Sequence, residues 1–235
     1  MKKEELRAFV QKYGTEYSKL LDIRLKSGRD AEIFKWFLAS ALFGAPITEN
    51  AVTKTYKCFR KYNVLTPKRT LETGWDGLVK ILDEGGYTRY DFKTADKLLE
   101  VMKNLMEKYG GSLNALHEKA SGTRDLEEKL KALGKGIGNV TVSIFLRELR
   151  HVWDKAKPKP TSLVILAAKN LELIKNGEPE NVLRQLEQYW NKNKIQRESF
   201  VNFETALVRL GKDFCRKKRC KECLVRVLCR TPVEL

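Results

Sequence analysis

Apolar residues recur at three- and four-residue spacing over long stretches of this chain, the pattern of helices that each bury one face. The clearest runs are Ile33–Phe34–Trp36–Phe37–Leu38, Leu98–Leu99–Val101–Met102–Leu105–Met106 and Leu183–Leu186–Tyr189–Trp190. Alternating apolar and polar positions, which would mark half-buried strands, are absent, so the pattern predicts an all-α fold. Punctuation between the runs sets the helix ends. Thr48-Glu49-Asn50-Ala51 reads as a cap opening a helix to about Tyr62, and Tyr90 or Asp91 opens the next long one. Gly110-Gly111 closes that helix, and Ser121 to Asp125 starts another running to about Leu133. Pro158 and Pro160 impose an extended connection. The segment Ser162 to Ile174 is apolar around most of its circumference and predicts a buried helix. No internal repeat or low-complexity segment is present.

One turn carries chemistry. In Leu133-Gly134-Lys135-Gly136-Ile137-Gly138-Asn139-Val140-Thr141-Val142 a helix runs in, a glycine-rich turn follows, and an apolar helix runs out. Glycines permit left-handed backbone angles and leave no side chain to block close approach. The outgoing helix offers backbone N–H groups and a positive dipole end, for which a phosphate is the natural ligand. Such a contact positions a strand without reading bases. The bland reading is an ordinary tight helix–helix turn. A dinucleotide loop would need a preceding strand, and a Lys/Glu-rich helix stands there instead.

Four of the five cysteines follow one another closely, as Cys215-x4-Cys220-x2-Cys223-x5-Cys229. In a reducing compartment such a run points to a metal or cluster rather than to disulfides. A single compact run with unequal loops suits a [4Fe–4S] cluster held by four thiolates. Zinc held by the same four residues is the alternative, although zinc ribbons usually show two separated C-x-x-C knuckles. Arg216, Lys217, Lys218, Arg219, Lys221, Arg226 and Arg230 crowd the run and could offset the cluster's negative charge or face phosphates. Cys58, alone in an apolar helix, reads as a buried core thiol.

Charge sharpens the picture. Lys+Arg 46 against Asp+Glu 30 leaves a formal net charge of +16 over 235 residues. Thermophile-type enrichment raises both signs together and does not account for such an excess. A polyanion partner does, because neutralising phosphates releases counterions; anionic membrane surfaces and acidic proteins are the other classes the charge admits. No run approaches a membrane span, and the start MKKEELRAFVQKYG has no apolar leader core, so the expected location is intracellular, cytoplasmic and nucleoid-associated.

A glycine-rich hairpin within a basic, all-helical chain, followed by a four-cysteine terminal run, resembles the helix-hairpin-helix DNA glycosylases of the endonuclease III group. The stretch Glu32 to Ala41 is similar to that family's early core helix, and Gly74 through Gly86 to Lys93 and Gly110 to the paired helices before its hairpin. The resemblance covers roughly residues 28 to 230. It implies two helical lobes: a six-helix bundle with the hairpin over residues 28–142, and a second lobe from 1–27 plus 143–235 holding a [4Fe–4S] cluster on Cys215, Cys220, Cys223 and Cys229. It implies a monomer acting on double-stranded DNA that carries a damaged base or abasic site, with Lys135, Gly136, Ile137, Gly138, Asn139 and Val140 on the backbone and the nucleotide flipped out.

The departures from that family bear on catalysis. Its bifunctional members carry a Schiff-base lysine two residues after the last hairpin glycine, where this chain has Val140. Its essential aspartate falls, by alignment, at Pro160, and the first cysteine gap is two residues shorter than the family's commonest spacing. Glycosidic cleavage needs a carboxylate beside an oxocarbenium-like sugar, and strand cleavage needs an amine for the abasic aldehyde. Asp154 is the nearest carboxylate to the usual place; Lys155, Lys157 and Lys159 are nearby amines, with Lys157 the chosen candidate. Their bland readings are a turn-capping aspartate and phosphate contacts. Trp75, Trp153, Tyr87 and Tyr90 are candidates for wedging or stacking, and His117 and His151 show no ligand spacing. The sequence therefore supports three readings: a glycosylase or AP lyase with relocated groups, a non-catalytic binder of damaged DNA, and, more remotely, a zinc-containing RNA-binding module.

Overall fold

The computed structural model describes residues 1–175 and 178–229. Those residues form twelve α-helices and no strand: α1 (Lys3–Tyr13), α2 (Tyr17–Leu20), α3 (Asp30–Phe43), α4 (Glu49–Lys61), α5 (Pro67–Gly85), α6 (Asp91–Tyr109), α7 (Leu113–Glu118), α8 (Thr123–Lys131), α9 (Asn139–Glu148), α10 (Ser162–Asn170), α11 (Pro179–Asn193) and α12 (Phe200–Arg209). The all-α expectation holds. Arg230, counted above among the basic residues of the cysteine run, lies outside the described residues.

Local chemistry accounts for most helix ends. Thr48 and Thr66 accept from Ala51 and Arg69 backbone N–H groups, each at 3.2 Å, and Pro67 follows the second cap at the first helical position. Gly110, with φ of +62°, closes α6 as expected. The helix expected over Ser162 to Ile174 ends sooner, at Asn170. Glu172 turns left-handed there (φ 56°), and the Leu173 N–H returns to the Ala168 carbonyl at 2.9 Å. No glycine marks that stop.

The chain divides into two compact units, Ser18–Pro158 and Met1–Tyr17 with Lys159–Leu235. This boundary lies outside the expected 28–142 at both ends. The reason is the apolar face of α9, which the expected boundary cuts. Phe145 packs edge-on against Phe37 (centroids 5.2 Å apart), and its carbonyl accepts from the Trp36 indole at 3.0 Å. Glu148 from the same helix takes the Ser18 N–H at 2.9 Å, and Glu32 takes the Arg24 N–H at 2.6 Å, so residues 18–27 also belong with this unit. Within the other unit, α1, α10, α11 and α12 close on a core of Leu6, Phe9, Val164, Leu186, Trp190 and Phe203. Phe203 stacks on both Tyr189 and Trp190.

Each unit contains a helix crossing that only glycine permits. A Cβ at Gly85 of α5 would lie 2.4 Å from Thr55 Cα in α4, and one at Gly211, just after α12, 2.2 Å from the Leu163 carbonyl oxygen in α10. Because backbone cannot move aside as a flexible side chain can, Gly85→Ala and Gly211→Ala should each destabilise the protein by about 1–3 kcal/mol. Chemical denaturation of the two variants against wild type measures this, and an unchanged midpoint would mean these crossings are loosely packed.

Candidate nucleic-acid interface and cysteine centre

The turn between α8 and α9 is seated on α6. Leu133 and Ile137 are buried and anchor it from below. Gly134 comes so close to α6 that a Cβ there would meet Val101 Cγ2 at 2.8 Å. Glu100 Oε2 accepts from the Lys135 N–H at 3.0 Å, and the Asn104 amide donates to the Leu133 carbonyl at 2.8 Å. Gly136 is left-handed (φ 88°), as the turn requires. The outgoing helix begins at Asn139 with Gly138 as its cap residue and no side chain closing its first turn. Among the described residues, none accepts from the Gly136 or Gly138 N–H. The exposed side of the turn is thus backbone N–H at the positive end of a ten-residue helix. Lys135, Gly136, Gly138, Asn139 and Val140 are all exposed on it, while Ile137 is inside. Val140, an aliphatic residue, is 61% exposed.

Sequence reasoning missed the α6 residues that hold this turn. Lys97 lies one helical turn before Glu100 and Val101, and its stem runs under Gly136; its Nζ donates to the Ala41 carbonyl at 2.9 Å, near the end of α3. Burial alone pushes its ammonium down to about 8. No local signal distinguishes Lys97 from the other lysines of α6, because its partner lies 56 residues away.

The segment after α9 is more tightly tied than a solvent linker. Trp153 is buried; its indole donates to Asn114 Oδ1 at 2.8 Å, and its ring stacks on His117 at 4.6 Å between centroids. Asp154, with a side chain 78% exposed, reaches within 2.9 Å of His117 Nε2, an ion-pair distance without the alignment of a directed hydrogen bond. Lys155 donates to the His117 carbonyl at 2.9 Å, closing the end of α7, and Lys159 pairs with Glu180. Lys157 is exposed. Of the four aromatic candidates, Tyr87 is fully buried and donates to the Leu42 carbonyl, so wedging falls to others. Tyr90 is half-buried, and Trp75 is exposed and packs against Phe92 at 5.1 Å.

In the other unit α12 widens into a π-helical turn, Leu210–Cys215, that delivers the first cysteine of the run. Lys218 turns left-handed, and two short 3₁₀ turns, Cys220–Glu222 and Arg226–Leu228, carry the chain to Cys229. All four cysteines are partly buried and reduced, and they line one cavity of about 190 Å³ whose apolar wall includes Leu171, Leu210, Phe214 and Val225. Burial pushes the Cys215 thiol up to about 11 and also raises Cys223, with the neighbouring cysteines adding to both. Among the described residues, no three His, Cys, Asp or Glu side chains converge as the ligands of a single ion. Cys58 is buried, as expected of a core thiol.

No protein-family model matches the chain, and no curated protein matches it in sequence. Solved structures share its fold. It is similar to the H. pylori 3-methyladenine DNA glycosylase MagIII bound to 1,N6-ethenoadenine, with 13% identity and a TM-score of 0.51 over 87% of this chain and 99% of that one. It is also similar to endonuclease III trapped as a covalent intermediate with DNA, an estranged-adenine complex, with 18% identity and a TM-score of 0.52 over 98% of this chain and 96% of that one. The helical fold implied by the sequence resemblance is therefore the fold observed.

Burial and the Lys155 charge lower the His117 pKa below 6.5, and Asp154 opposes them. Asp154→Asn should therefore lower the His117 pKa further, read by NMR titration of its ring protons. His151 is lowered too, by burial and then by Arg150 and Lys26. A histidine held neutral by the fold favours folding above its unfolded pKa and loses that contribution as pH falls through the folded one. Stability should accordingly decline as pH drops below about 6.5, seen as a falling denaturation midpoint.

Proposed function

We propose that this chain binds duplex DNA at a damaged base or abasic site and acts in base-excision repair as a DNA glycosylase or AP lyase. The observation that carries this reading is the hairpin: a turn clamped to α6 whose exposed side is backbone N–H at the start of an uncapped helix. A net charge of +16 suits the same partner. Likeness of fold to a glycosylase holding a modified adenine and to an endonuclease III joined to DNA supports the reaction class. Val140 brings no amine to the usual lysine position, so the chemistry falls to other groups. Asp154, exposed beside His117, is the carboxylate for the developing positive charge on the sugar, and exposed Lys157 is a contact to phosphate or sugar. The non-catalytic reading, a damage binder, is favoured by one observation: Asp154 already has a partner in His117.

The four-cysteine cavity fits a [4Fe–4S] cluster. Burial raises the Cys215 and Cys223 thiols, so both would stay protonated until cationic iron offset the charge of their thiolates. The cavity is several times the roughly 30 Å³ share of one water. Cys215, Cys220, Cys223 and Cys229 would hold the cluster. Once bound, it would tie four points of the loop together and so fix the basic side chains around it.

Two measurements test these readings. Gly138→Asp places a capping carboxylate in open space at the start of α9. Fold stability should hold or rise by about 1 kcal/mol. Affinity for a duplex with one abasic site, read by fluorescence anisotropy, should fall tenfold or more, about 1.4 kcal/mol. Unchanged affinity would remove the hairpin from the interface. Protein purified without oxygen should carry about four irons and a broad visible absorption band, both lost in Cys223→Ser. Stoichiometric zinc instead would overturn the cluster.

A further inference from the structure

Within the Ser18–Pro158 unit, a cavity of about 490 Å³ opens between the end of α3, the start of α6 and the hairpin, with Gly44, Tyr90, Lys93, Lys97 and Gly136 among its lining residues. The hairpin forms one wall, so a nucleotide whose phosphate met the Gly136 and Gly138 N–H groups would have its sugar beside this space. Lys97 is the group that the reading above leaves without a task. Its stem is covered by Gly136, where a Cβ would stand a tight 3.0 Å from Lys97 Cδ and where the left-handed φ of 88° favours glycine. Its nitrogen, held toward the Ala41 carbonyl, is fixed rather than swinging in solvent. Lys93 and Lys135, which line the same cavity, are exposed.

We propose that Lys97 is the amine of an AP lyase, attacking the C1′ aldehyde of an abasic sugar held at the hairpin. The proposal rests on the DNA reading above and adds to it the residue that Val140 cannot supply. In the neutral amine one N–H stays on the Ala41 carbonyl while the lone pair adds to C1′. The adduct takes up a proton from solvent and loses water, which gives a protonated imine. The C2′ proton then leaves to water in the open cavity, the C3′–O bond breaks, and the 3′ phosphate departs with that electron pair. Water hydrolyses the conjugated imine, which returns the amine and releases an unsaturated aldehyde at the cut end. No oxidant or reductant enters. A partly buried amine suits this task because desolvation disfavours its charged form. At the value of about 8 given above, roughly a tenth would be neutral at pH 7, against far less for an ordinary lysine.

The test is borohydride trapping on duplex DNA with one abasic site, with the cross-linked peptide mapped by mass spectrometry. Borohydride reduces the imine to a stable secondary amine, so the adduct names the nucleophile. The expected adduct sits on Lys97. Lys97→Arg, which keeps the charge and a donor for Ala41, should lose trapping and strand cleavage by about a hundredfold or more while still binding the abasic duplex. Lys97→Gln serves as a second variant should arginine disturb the turn, and mapping on the wild-type protein needs neither. An adduct on Lys157, on another lysine or on the N-terminal amine would overturn the assignment, as would full trapping by Lys97→Arg. Preferential binding of the abasic duplex without any adduct would overturn Lys97 and leave the DNA reading standing. Failure to bind either intact or abasic duplex would overturn both.

Discussion

The turn at residues 134–138 lies directly on α6, with Gly134 against Val101 and the Lys135 N–H on Glu100. A side chain at 134 would collide with Val101, and one at 136 would press on Lys97. With glycine at both places the backbone drops close enough for Glu100 to take the Lys135 N–H and for Asn104 to hold the Leu133 carbonyl. These bonds set where α8 stops and where α9 starts. They also cover the stem of Lys97, so the seat that presents backbone N–H groups outward is the one that desolvates an amine beside them.

The acidic residues take part in this economy of charge. Glu32 and Glu148 are buried, and each receives a backbone N–H from elsewhere in the chain, Arg24 and Ser18 respectively. Burial acts to raise the Glu32 pKa, but Lys35 and the Arg24 N–H outweigh it and hold the carboxyl below its ordinary value. Carboxylates used inside as backbone clamps are not available to pair with cations at the surface.

The cysteine centre follows a different logic, because its ligands are close in sequence. A π-helical turn extends α12 to Cys215 and two 3₁₀ turns space the remainder, so the loop needs little help from distant residues to bring four thiols to one cavity. Distant residues contribute mainly the apolar wall, with Gly211 letting the π turn rest on the α10 backbone. Burial in that cavity raises the Cys215 and Cys223 thiols, which disfavours their thiolates in the absence of a cation.

Helices, caps, the glycine-rich hairpin and the cysteine spacing were legible in the sequence, since each depends on residues within a few positions of one another. Thr48 and Gly110 act where the local pattern places them. The end of α10 at Asn170 was not legible, because Glu172 adopts a left-handed angle without the glycine that usually announces it. Nor was the boundary between the two units, which follows the packing of Phe145 on Trp36 and Phe37, over 100 residues apart in sequence. His117 and Asp154, unremarkable by spacing, meet only because Trp153 is buried against α7. The sequence by itself determined that a turn able to meet phosphate exists. Only the tertiary structure decided that Lys97 lies under it, since the desolvation of an amine depends on which distant backbone closes over it, and no local pattern encodes that.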